Sequence, residues 1–105
     1  MDDLPDDVAA TLARGVGAYV RTTSLADLPT ALKRFKRFAS TEKGLVPHRR
    51  ALLSALEDEP TRALIGEWLG EKPPLPKRDV ELLRLAVSRP EGWADELRGT
   101  SRGRR

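Results

Sequence analysis

Cysteine is absent from the 105 residues, which excludes disulfides, thiolate metal centres and cysteine nucleophiles. Histidine occurs once, as His48, and aromatic residues make up only 5%. No apolar run approaches the ~18 residues of a membrane span. The opening Met1-Asp2-Asp3 has the wrong charge for a secretory leader, so a cytoplasmic protein without membrane association is expected. No glycine-rich phosphate loop, HExxH or GxSxG motif is present. A (β/α)₈ barrel or a two-halved dinucleotide fold needs about twice this length.

β-branched residues are scarce too. Valine and isoleucine together number seven, against sixteen leucines and twelve alanines. Strands favour β-branched side chains and helices favour straight or small ones. Charged residues reach 33%, which suits helices with one wet face. The composition implies an all-α fold, a bundle of five to six short helices.

Pro5, Pro29, Pro47, Pro60, Pro76 and Pro90 each precede an apolar-periodic segment. Proline fits the first turn of a helix because its φ is already helical and no N–H is missed there. Helices are therefore expected over 5–21, 28–39, 47–57, 60–71, 76–88 and 90–98. A single domain would occupy 1–98, followed by a disordered basic tail over 99–105. In the first segment Val8, Leu12, Gly15, Val16 and Tyr19 form one stripe, with Gly15 and Gly17 suited to close helix packing. The 76–88 segment is apolar around more than half its circumference, as a buried central helix would be. Trp68 and Trp93 are expected as core anchors, and residues 71–76, with three prolines, as an extended connector.

The net charge of +3 hides strong segregation. Residues 1–27 sum to −3, 28–52 to +6, 53–72 to −3 and 73–105 to +3. On a helix over 28–39, Leu28, Ala31, Leu32, Phe35, Phe38 and Ala39 share one arc. Lys33, Arg34, Lys36 and Arg37 then take the other arc, without a carboxylate at i±3 or i±4 to relieve them. The basic run continues through Lys43 to His48, Arg49 and Arg50. Such a face would neutralise several phosphates, and arginine both stacks on unpaired bases and forks onto phosphate oxygens.

Lys33, Arg34, Lys36, Arg37, Lys43, Arg49 and Arg50 are thus the expected nucleic-acid contacts, with Arg102, Arg104 and Arg105 as a loose accessory. Phe35 and Phe38 read as core. His48 reads as a helix-start residue, and Asp2, Asp3, Asp6 and Asp7 as a solvated acidic terminus, not a metal site. No catalytic constellation, metal site or cofactor site is evident. The alternatives are an acidic protein partner or intramolecular acidic tail, plain solubility, a protein-interaction or oligomerisation module and, within nucleic-acid binding, a helix-turn-helix DNA binder.

Leu28–Phe38, Ala51–Glu57 and Arg89-Pro90-Glu91-Gly92-Trp93, in that order and spacing, resemble the N-terminal helical region of actinobacterial NYN-domain (YacP-like) proteins. The likeness spans roughly residues 4–97, and the RPEGW stretch is its most specific part. It implies an RNA-related role. In that family a charged linker and a PIN-like, metal-dependent nuclease domain follow the helical region. The acidic site of that domain is not among these 105 residues, so nuclease activity is not carried over from the resemblance.

Overall fold

The computed structural model describes residues 4–38 and 42–99, and every regular element among them is helical. Seven α-helices follow one another: α1 (Asp6–Thr22), α2 (Thr30–Lys33), α3 (Glu42–Leu45), α4 (Arg49–Ala55), α5 (Glu59–Leu69), α6 (Lys77–Ser88) and α7 (Trp93–Gly99). Single 3₁₀ turns lie at Leu25–Asp27, Lys36–Phe38 and Val46–His48.

Proline sets several of these starts. Pro5, Pro29 and Pro76 each stand immediately before a helix, and Pro60 sits in the first turn of α5. The α5 cap is polar. Asp58 accepts from the Thr61 backbone N–H at 3.1 Å and from the Thr61 hydroxyl at 2.6 Å. This satisfies a donor that the first helical turn leaves orphaned. Helix α7 begins three residues after Pro90, because Arg89 is left-handed (φ 48°) and Gly92 has φ 80°. The Arg89 guanidinium braces that corner. It donates to the carbonyls of Ala86 and Leu56 and to Glu57, and lies 4.5 Å from the Trp93 ring centroid.

The centre of the bundle is α1, where the sequence favoured the 76–88 segment. Ten of the seventeen α1 residues are buried, whereas α6 buries Asp79, Leu82, Leu83 and Ala86 and exposes Glu81, Arg84 and Ser88. Glycine makes the difference. A Cβ at Gly15 would stand 2.9 Å from Leu83 Cδ2, and one at Gly17 would stand 3.0 Å from Leu45 Cδ1. Neighbours thus press against α1 on both of these positions. Tyr19 meets Trp68 edge to face at 5.3 Å, which ties α1 to α5.

The 28–39 segment does not form one helix. Helix α2 ends after a single turn, and Phe35 and Phe38 donate to carbonyls three residues back, as in a 3₁₀ turn. A continuous helix would stack Lys33 against Lys36 and Arg37, and Arg34 against Arg37, as like charges at i+3 and i+4. The interrupted segment still buries Leu28, Leu32 and Phe35. A further turn, α3, lies in the stretch for which no helix was expected. Its Leu45 packs at Gly17.

Candidate nucleic-acid interface

The seven expected contacts occupy different environments. Lys33, Arg34, Arg37, Lys43, Arg49 and Arg50 are exposed. None of them forms an ion pair with a carboxylate among the described residues. Lys36 is the exception. Its ammonium donates to the carbonyls of Val20 (3.0 Å), Arg21 (3.1 Å) and Thr23 (2.7 Å). These carbonyls close the C-terminal end of α1, where the helix dipole is negative and the last carbonyls lack intrahelical partners. All three ammonium donors are used. Lys36 is therefore a tertiary cap for α1, and it leaves the set of phosphate contacts inferred from the sequence.

Arg34 and Arg37 face the opposite situation. The Arg34 guanidinium lies 4.8 Å from the Phe35 ring centroid, and the Arg37 guanidinium 4.9 Å from that of Phe38. Each plane is held over an aromatic face by the cation–π attraction. His48, just before α4, completes the strip. Its ring centroid is 4.6 Å from Phe38 at a 31° tilt and 5.5 Å from Phe35. Phe35 is buried as expected, and Phe38 packs on the core while bordering solvent.

Two shallow depressions meet along this strip. One is lined by Arg34, Phe35, Arg37, Phe38, His48 and Ala51, the other by Thr30, Ala31, Arg34, Ala51, Ser54 and Ala55. They share Arg34 and Ala51, so they form one groove between the 30–38 segment and α4. No carboxylate lines it among the described residues. Lys43 and Arg50 are exposed on α3 and α4.

The sequence does not disclose the role of the His48 ring, because a lone histidine between proline and arginine has no partner visible in the chain. Lys36 and its acceptors are 13 to 16 residues apart, which no local pattern reveals. Arg14 and Arg21 were also missed, although their i, i+7 spacing puts them on one face of α1. Both line a pocket with Arg49. Asp6 and Asp7 form the first turn of α1, where acidic side chains complement the dipole. Asp2, Asp3 and the basic tail with Arg102, Arg104 and Arg105 lie outside the described residues.

No family model, curated protein or solved structure matches this sequence.

Proposed function

We propose that this chain is a non-catalytic module that binds single-stranded nucleic acid, RNA in the first instance, in the groove between residues 30–38 and α4. The single observation that carries the proposal is the pairing of two guanidinium–phenylalanine stacks with the His48 ring in a groove that no carboxylate lines among the described residues. Every base has a π-face, so the exposed guanidinium planes of Arg34 and Arg37, backed by the half-buried Phe38 and His48 rings, accept bases with little sequence preference. Arg34 and Arg37 also fork onto phosphate oxygens, while Lys33, Lys43 and Arg50, exposed but outside the groove's lining, add positive charge to the surface.

Single strands suit the groove better than a duplex. A major-groove reader needs a basic helix that projects into DNA, whereas the basic segment here is broken into one-turn pieces. Protein interaction has less support. Leu25, 53% exposed, is the only large apolar side chain standing out in solvent among the described residues. Interaction sites usually present a contiguous apolar patch.

The test is fluorescence anisotropy with a labelled uridine-rich oligoribonucleotide, comparing the protein with an Arg34→Gln/Arg37→Gln variant. The variant should bind about tenfold more weakly or worse, since hydrogen bonds to charged groups contribute about 1.5–3 kcal/mol each. Equal affinity would refute the groove as the binding site.

A further inference from the structure

A second cationic feature lies on the α1 side of α4. Arg14 and Arg21 from α1 and Arg49 from α4 line one pocket, floored by Gly17, Leu45 and Leu52. The pocket holds about 70 Å³. A single water needs about 10–15 Å³ by the same measure, so the space admits on the order of five water-sized groups. That is room enough for a tetrahedral oxyanion, whose bonded atoms lie closer together than separate waters. Arginine is the only charged residue type in its lining, and no carboxylate lines the pocket among the described residues.

Arg21 lines the pocket, and its Nη1, withdrawn from water, has no hydrogen-bond partner among the described residues. Leaving a buried charged donor unsatisfied is costly, and native proteins rarely tolerate it without a reason. Arg14 is only loosely held. Its Nε and Nη2 reach the buried Asp79 carboxylate at 3.4 Å, and its side chain remains 45% exposed. Nη1 takes no part in that pair. Arg49 forms no ion pair with a described carboxylate. Gly17 matters as well, because it sits between the two α1 arginines and a side chain there would meet Leu45.

The geometry points to a phosphate-binding site formed by Arg14, Arg21 and Arg49, which takes one phosphomonoester dianion. Guanidinium groups suit the oxygens of a tetrahedral centre, with Arg21 and Arg49 free of described carboxylates and Arg14 adding charge beside its loose pair with Asp79. An internal phosphodiester would need two exits for its ester oxygens, so a terminal phosphate or free inorganic phosphate fits a pocket of this size. The inference does not depend on the groove between residues 30–38 and α4.

The test is thermal unfolding and isothermal titration with inorganic phosphate, with chloride and acetate at matched ionic strength as controls. Arg21→Gln and Arg49→Gln are the site variants, and circular dichroism confirms that each still folds. Phosphate should raise Tm saturably where chloride and acetate do not, and each variant should lose affinity about tenfold or more. The Arg34→Gln/Arg37→Gln protein should keep the full phosphate response, which separates this site from the groove. A 5′-phosphorylated oligoribonucleotide that outbinds its 5′-hydroxyl twin only when Arg21 is present identifies a nucleic-acid end as the source. Equal binding of the twins together with a saturable phosphate response identifies free phosphate. The site is overturned if phosphate acts no differently from acetate, or if both single variants respond like the unmodified protein.

Discussion

The Lys36 ammonium donates to the Thr23 carbonyl at 2.7 Å, across thirteen residues of chain. With Val20 and Arg21 as its other acceptors, this one side chain closes the end of the central helix and anchors the basic segment to it. Replacing Lys36 with methionine keeps the aliphatic stem and leaves three carbonyls without their donor. The expected loss is about 1–3 kcal/mol of stability, read as a lower urea midpoint at an unchanged slope. Oligonucleotide affinity should change little in the folded variant. A large affinity loss at unchanged stability would show that Lys36 contacts phosphate after all.

The glycines of α1 and α5 should respond in opposite directions. Gly15→Ala gains about 1 kcal/mol of helix propensity but places a Cβ 2.9 Å from Leu83 Cδ2. Overpacking of that kind costs about 1–3 kcal/mol, so the net change should be destabilising. Gly66 is exposed on α5, and its nearest neighbour, Val87, stands at 4.0 Å. Gly66→Ala should therefore stabilise by about 0.5–1 kcal/mol. Paired urea titrations read both signs in one experiment.

Much of this architecture is legible in the chain. Five of the six proline-led segments foretell α1, α4, α5, α6 and α7 to within a few residues, because each couples a start signal to an apolar period. The 28–39 segment fails for a reason that periodicity does not record. Its arc of apolar residues is real, since Leu28, Leu32 and Phe35 are all buried. The Lys36 ammonium is held by acceptors thirteen to sixteen residues away, which the local pattern does not record. The candidate groove is half legible for the same reason. Its cations are evident as a charge run, whereas its aromatic component needs His48 brought against Phe38 from ten residues away.

Acid should weaken the corner that joins α4 to α6 and α7. The Arg89 hydrogen bond, helped by the charges of Arg89 and Arg62 and opposed by slight burial, holds the Glu57 carboxyl below its ordinary value of 4.5. A folded-state value below the unfolded one stabilises above pH 4.5 and loses that contribution as pH falls through the folded value. Glu57→Gln should therefore be less stable than the unmodified protein near neutrality, and the two urea midpoints should converge in acid below the ordinary value. A difference that stays constant with pH would detach Glu57 from the corner. Its carboxylate is 56% exposed, so the effect should be small.

Salt should weaken oligonucleotide binding by a countable amount. Each phosphate contact on a single strand contributes about 0.7 to the slope of log affinity against log salt. Arg34→Gln/Arg37→Gln should lower that slope by about 1.4, and Lys36→Met should leave it unchanged. A slope unaffected by the double replacement would place the phosphates elsewhere on the surface.

The groove itself is tested most directly by ¹⁵N–¹H NMR during titration with a uridine-rich oligoribonucleotide. Binding between the 30–38 segment and α4 predicts that the largest shifts fall on Arg34 to Phe38 and on His48 to Ala51, while α5 and α7 stay quiet. Shifts confined to α5–α7, or no shifts at saturating oligonucleotide, would contradict it.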